Sequence, residues 1–335
     1  MNWVLISMLI IGVLKFGQAL IAPLLVAVFI WYLLNAVAEY YKRLMPAKAW
    51  WVGCASLAAS IATFGIFALV FIQNIAPVVK QFQEKLPQIE SKISGLISYI
   101  AKSIGFTLDM SWVPDAQRIF MSASLSVAEL AASLGVVAIY VLFMFIEQHT
   151  FDKKLQHLMN NKDHYKRLHK ILSKINSGIK RYLFVKTAIS LSTAICSYIV
   201  MSIVGIDLAL FWAFLIFILN YIPTFGSFIA VSLPVVYAFA SLSPVAALWM
   251  SILLIGLQIL FANILEPRIM GKTLNLSTLA ILINLVFWGM MWGAVGMFFS
   301  VPLLVAAFIV ASHIKKLRPA AVLISANGEL PDDEK

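Results

Sequence analysis

Charge is what this chain has least of. Of 335 residues only 12% are Asp, Glu, Lys or Arg, while 62% are hydrophobic and the mean hydropathy is +0.93. A soluble chain of this length needs a charged surface around its cores, so the balance excludes that class and points to a polytopic membrane protein. Strand-type alternation is also missing. Long apolar runs without it are helices, because backbone groups in lipid must be bonded within their own segment, and a barrel is excluded. Cysteine is nearly absent: Cys54 and Cys196 stand singly in apolar runs, which leaves neither a disulfide framework nor a thiolate metal site. The opening MNWVLISMLIIG has no basic region and no small-residue cleavage site, so it reads as a retained membrane segment.

Catalytic patterns are lacking too. Gly271-Lys272-Thr273 looks like the end of a phosphate-binding loop, but Glu266 stands where that loop needs glycine and no strand precedes it. There is no HExxH, no GxSxG and no aspartate pair within a helix, so a membrane protease or lipase has no visible machinery. His149, His157, His164 and His169 are spaced unlike paired metal ligands. No metal and no cofactor are called for. The net charge of +10 is not gathered into a nucleic-acid module, and membrane orientation accounts for it better.

What is present is a series of apolar runs about 20 residues long, separated by charged stretches. Residues 3–38 are too long for one crossing, and Lys15-Phe16-Gly17-Gln18 is the natural place for a turn, giving a short helical hairpin. Residues 73–126 form an outer polar segment with apolar positions at steps of three and four, fitting a helix on the outer surface or against a neighbouring subunit. The most basic stretch, 149–182, is amphipathic as well and suits the anionic inner leaflet. Placing basic loops inside puts both termini in the cytoplasm, with a polar, disordered tail after residue 318. The expected architecture is all-α: one transmembrane domain over 1–318, with about eight spans and broken or re-entrant hairpins.

Two interruptions mark candidate sites. In NYIPTFG, Pro223 removes a hydrogen-bond donor and Gly226 loosens the chain, giving either a helix break at membrane depth or a tight turn between two short helices. In WGMMWGAVG, Trp288, Gly289, Trp292, Gly293 and Gly296 interrupt the last long run, followed by Pro302. Neutral polar residues lie in the apolar runs: Asn220, Gln258, Asn263 and Asn284. They either bind helices to one another or line a watery path. Lys15, Glu129, Glu147 and Lys186 sit near predicted span ends, where charge serves as an interfacial anchor. Asp207 and Glu266 border the interrupted regions and are the expected proton carriers if transport is proton-coupled.

The motifs NYIPTFG, LEPRIMGKTLNLS and FWGMMWGAVGMFFSVPL together resemble the autoinducer-2 exporter family, the PerM-type permeases. The likeness covers nearly the full chain. It implies a bacterial inner-membrane, multi-pass homo-oligomer that moves a small polar solute such as autoinducer-2, or a cation by sodium or lithium/proton antiport. It also implies that the family's proline-glycine break falls on Pro223 and Gly226, its charged loop on Glu266, Pro267 and Gly271, and its aromatic-glycine break on Trp288 to Gly296. Thr224 departs from the pattern, since many members carry an aromatic there. The expectation is a solute or ion path bordered by the two interruptions, embedded in lipid and needing no nucleic acid. A non-transporting scaffold and a passive channel are the alternatives.

Overall fold

The computed structural model describes residues 12–44, 135–148, 150–158, 162–270 and 275–330, with isolated positions between 58 and 95. Residues 3–11 of the first arm of the expected N-terminal hairpin, Glu129 and nearly all of the outer amphipathic segment lie outside the described residues, and with them the test of that hairpin.

The elements are helices: α1 (Gln18–Leu44), α2 (Gly135–Glu147), α3 (Phe151–Leu158), α4 (Lys162–Val204), α5 (Ala209–Leu219), α6 (Phe225–Ser241), α7 (Pro244–Gln258), a π-helical stretch (Ile259–Leu265), α8 (Glu266–Met270), α9 (Thr278–His313) and α10 (Arg318–Ile324). Among the described residues β pairing is confined to an isolated bridge between Leu276 and Ser325. Gln18–Glu39, Asp163–Val204, Pro244–Ile269 and Thr278–His313 have the length and apolarity needed to cross a bilayer. The protein is thus a helical membrane protein.

The contacts divide the chain into two compact units. One takes Met1–Ala62, Leu134–Lys186 and Ile269–Lys335; the other takes Thr63–Ser133 and Thr187–Arg268.

In the first unit, Gly17 is a single turn residue between helical segments. Its N–H bonds to Val13 O at 2.8 Å, and its own carbonyl accepts from Ile21 N–H at 2.9 Å. The basic helix does not present its apolar face to lipid headgroups. Ile171, Ile175 and Ile179, with Tyr182 and Leu183, pack against Val301, Val305 and Ile309 of α9 and against Phe29 and Tyr32 of α1. Tyr32 Oη also donates to Asn176 Oδ1 at 2.8 Å. A helical apolar stripe looks the same in sequence whether lipid or another helix covers it. Continuity is a second difference: this helix and the following span form one rod, Lys162–Val204.

Residues 318–330, expected to belong to a disordered tail, are ordered. α10 and the residues after it dock through Ala321 and Leu330 onto Phe308, Ala311 and Leu276. Backbone bonds from Ser277 N–H to Ile324 O (2.8 Å) and from Ala326 N–H to Asn275 O (3.0 Å) fix the register. Few apolar residues are spent there: Ala321 and Leu330 are buried and Ile324 packs beside them, while Val322 and Leu323 are exposed.

In the second unit, the widening of the helix to π geometry over Ile259–Leu265 immediately precedes Pro267. A helical proline has no N–H to give and pushes away the carbonyl four residues back, here Asn263. The sequence EPR therefore sets the position of the bulge.

Candidate functional site

The NYIPTFG interruption is a turn between antiparallel arms. α5 rises only about 16 Å and α6 about 25 Å at ~1.5 Å per residue, against about 30 Å of hydrocarbon, so α5 is too short to cross. Trp212 on the first arm packs on Tyr237 on the second, ring centroids 5.4 Å apart. At the tip, a Cβ on Gly226 would collide with the carbonyl oxygen of Leu219, so only glycine lets the arms close this tightly. Phe225 N–H donates to Pro223 O at 2.6 Å around Thr224, whose φ is 61° and ψ −63°. That is the rare, strained γ-turn, imposed here on a β-branched residue. Of the two sequence-based alternatives, the geometry is the tight turn, but between arms too short to be ordinary spans.

Two polar bonds tie this tip to neighbouring helices of the same unit. Gln258 Nε2, at the end of α7, donates to Asn220 Oδ1 at 3.0 Å, with Asn220 buried. Tyr221 Oη and Thr187 Oγ1 of α4 are 2.7 Å apart, and the Tyr221 ring packs edge-on to Phe217. The Gln258 carbonyl oxygen Oε1 is itself buried and accepts no hydrogen bond from the described residues. An unmet acceptor in a dry place costs about 1–3 kcal/mol, which a hydroxyl or amine donor would recover.

The sequence reading missed one polar feature. Lys186, Ser190, Thr193 and Ser197 recur along α4 at steps of four, three and four, and all are buried. Lys186 is 4% exposed, so it is not the solvent-reaching anchor expected of it. Thr193 Oγ1 donates back to Ile189 O at 2.8 Å, whereas Ser190 Oγ is buried without a partner among the described residues. The helical spacing of these four was legible; their burial was not, because it depends on which helices pack against α4.

The WGMMWGAVG interruption, in the first unit, is a hairpin as well. α9 leaves helical geometry at Trp292 (φ −130°, ψ 16°) and Gly293 (φ 61°, ψ −139°), the latter a conformation open essentially to glycine alone. Asn284 Nδ2 donates to Ser300 O at 2.6 Å. In a straight helix those residues would be about 24 Å apart, so residues 278–291 and 294–313 run side by side in opposite directions. A Cβ on Gly296 would collide with Trp288 O, the same device as at Gly226. Asn284 Oδ1 accepts from Trp288 Nε1 at 3.1 Å, and the Trp288 and Trp292 rings stack with centroids 4.3 Å apart. Asn284 therefore binds the two arms to each other. The N-terminal segment meets the tip: Lys15 Nζ donates to Met290 O at 3.0 Å, and Trp292 Nε1 to Leu14 O at 3.0 Å. Lys15, though exposed, reaches the hairpin end.

The remaining predicted residues are more dispersed. Asp207 is exposed at the start of α5, the full length of that arm away from Asn220. Asn263 is exposed within the π stretch, while Glu266 and Pro267 begin α8 two turns beyond Gln258. Glu147 is exposed and pairs with Lys154 at 3.1 Å. Gly289 faces Met297, and Pro302 is buried in the second arm of α9. Gly271 falls outside the described residues.

Comparison with known sequences agrees with this architecture of interrupted apolar helices. The profile described as "AI-2E family transporter" matches residues 4–316. The chain is 29% identical over 336 residues to the "AI-2 transport protein TqsA" of Escherichia coli K12, covering 96% of this chain and 94% of that one. It is 28% identical over 290 residues to the "Putative transport protein YhhT" of the same organism, covering 85% and 82%. It is 27% identical over 338 residues to a "Putative transport protein" of Borreliella burgdorferi, covering 97% and 90%.

Proposed function

Since the chain belongs to the AI-2E family of transporters, a membrane transport protein by that membership, we propose that it moves a small, hydroxyl-bearing polar solute, of which autoinducer-2 is the type, by secondary transport. The observation that carries this is the amide pair at the tip of the α5–α6 hairpin. Gln258 is held by Asn220 and keeps a buried carbonyl oxygen open for a donor. A solute rich in O–H groups supplies the donor that this acceptor lacks, without a charge being buried. Broken helices with short arms are where transporters of other folds place their solute sites, which supports the assignment. The relative carrying the AI-2 name, matched over nearly its whole length, favours the same solute class.

The proposal includes placement in a bacterial inner membrane, with the basic stretch 149–182 and both termini on the cytoplasmic side, as the excess of Lys and Arg there favours. It is tested in liposomes of purified protein in which autoinducer-2, sodium and proton fluxes are measured side by side. Saturable autoinducer-2 flux that Gln258→Leu abolishes and Asn263→Leu spares is the expected result. Flux of sodium or protons alone overturns the solute assignment. Unitary currents without saturation identify a passive channel, and no flux of any kind, with partners retained in a pull-down, a scaffold.

A further inference from the structure

Four hydroxyls in the second unit are spent on the helix that carries them. Thr193 donates to Ile189 O, Ser232 to Phe228 O, Ser241 to Tyr237 O and Ser251 to Ala247 O, each at 2.7–2.8 Å. A bond to the carbonyl four residues back is how serine and threonine lie in an apolar helix without leaving a polar group dry. Ser190 does otherwise. It is 0% exposed, and its Oγ has no hydrogen-bond partner among the described residues.

The direction in which Ser190 faces follows from its neighbours on α4. A helix advances about 100° per residue, which puts Thr187, Ser190, Ser197 and Met201 within about 80° of arc. Both ends of that stripe meet the α5–α6 hairpin. Thr187 Oγ1 is 2.7 Å from Tyr221 Oη at the tip, and Met201 is buried in one cluster with Trp212 and Ile216 of α5 and Tyr237 of α6. Ser190 and Ser197, both buried, lie between them on the same face, while Leu191, Ile195 and Ile199 are exposed. α4 thus turns hydroxyls to the hairpin and apolar side chains outward.

Ser190 stands one helical turn, about 4.5 Å along the axis, from Thr187. Thr187 meets Tyr221, and the residue before Tyr221 is Asn220, which Gln258 holds. Two buried atoms without a partner among the described residues, Gln258 Oε1 and Ser190 Oγ, therefore flank one hairpin tip, the first from α7 and the second from α4. Their chemistry is complementary. An amide oxygen only accepts, whereas a serine hydroxyl both donates and accepts.

We propose that Ser190 is a second solute-binding residue, which exchanges hydrogen bonds with one hydroxyl of the solute in the seam between α4 and the α5–α6 hairpin while another hydroxyl donates to Gln258 Oε1. This rests on the solute assignment above and sharpens it. A solute needs at least two hydroxyls to satisfy both atoms, and parting of the Thr187–Tyr221 contact admits it to the seam. Thr193, its hydroxyl already bonded to Ile189 O, takes no part.

Autoinducer-2 flux is measured against concentration in liposomes of the full-length wild type, Ser190→Ala and Thr193→Ala, with a thermal melt of each. Ser190→Ala is expected to raise KM roughly five- to tenfold, the worth of one hydrogen bond, with little change in Vmax. It should melt no lower than the wild type, since it deletes a hydroxyl that had no partner. Thr193→Ala should leave KM as it was. A Ser190→Ala KM equal to that of a transporting wild type overturns the proposal and leaves the solute assignment standing. A second measurement needs no flux. In a version with Cys54 and Cys196 replaced, Ser190→Cys is treated with a water-soluble thiol reagent and read by mass spectrometry. Modification that autoinducer-2 slows several-fold supports binding in the seam. A new thiol that never reacts, or reacts equally with and without the solute, overturns it. Wild-type flux of sodium or protons alone removes the solute assignment, and this proposal with it.

Discussion

Asn284 Nδ2 lies 2.6 Å from the carbonyl oxygen of Ser300, sixteen positions along the same apolar segment. That one bond decides what the last long hydrophobic run is. By length and composition residues 278–313 are a membrane crossing with residues to spare; by geometry they are two arms folded together, the first rising only about 21 Å. Asn284 also accepts from Trp288, so a single amide satisfies a donor and an acceptor that the hairpin would otherwise leave dry. Asn284→Ala is expected to lower stability by about 1–2 kcal/mol, because the buried Ser300 carbonyl loses its side-chain donor. A thermal melt in detergent reads this as a drop of several degrees.

The fold-back has a direct covalent test. A Cβ at Gly289 would lie 2.9 Å from Met297 Cγ, well within disulfide reach once both positions are cysteine. In a version with Cys54 and Cys196 replaced, the Gly289→Cys/Met297→Cys pair should cross-link on mild oxidation. A straight helix would hold the two about 12 Å apart and give no cross-link. Mass spectrometry of a digest separates the outcomes.

Glycine at the two tips is required by contact, while glycine elsewhere is not. At Gly296 a methyl group would run into Trp288 O, and at Gly226 into Leu219 O; at Gly256 on α7 it would meet nothing within 4 Å. Gly296→Ala and Gly226→Ala are therefore expected to destabilise by about 2 kcal/mol or more, since backbone must move. Gly256→Ala should be neutral or stabilise by up to about 1 kcal/mol through helix propensity. Parallel melts of the three variants check the contrast.

How much of this was readable in advance differs from element to element. The helical membrane class, an interruption of the helix at Gly17 and both later interruptions were written in the pattern of apolar runs, glycines and prolines. Pairing was not, because hydrophobic periodicity says which face is covered and never by what. Ile171, Ile175 and Ile179 advertised an apolar stripe and turned out to face α9. Asn220 and Gln258 were both visible as polar residues in apolar runs, yet nothing in their thirty-eight-residue separation marks them as partners. Lys186 was misjudged through its position near a span end, where burial by other helices leaves no trace in the local sequence. The docking of residues 318–330 was hidden by a composition that resembles a loose tail.

Thr224 stores strain that the chain does not need for packing. Its side chain is exposed, and its φ of 61° in a γ-turn is unfavourable for a β-branched residue. Thr224→Gly should relieve it and raise stability by about 1 kcal/mol, the strain outweighing the extra freedom glycine gives the unfolded chain. Thr224→Ala, which keeps a Cβ, should recover little. Should the glycine variant melt lower than wild type, the strained turn is no reservoir and the threonine contributes through a contact of its own.

The last expectation concerns the amide pair. Replacing Gln258 by leucine removes the donor to Asn220 and leaves that residue's buried Oδ1 unmet, while replacing both Gln258 and Asn220 by leucine removes the mismatch altogether. If the pair only glues α7 to the hairpin, the double variant should regain most of the stability lost in the single one, about 1–2 kcal/mol, and transport should return with it. If Gln258 Oε1 receives the solute, stability returns and transport does not, because no acceptor is left to replace the one that was open. Measuring the melt and the autoinducer-2 flux on the same preparations separates glue from binding. A double variant that both folds and transports like the wild type places the solute elsewhere.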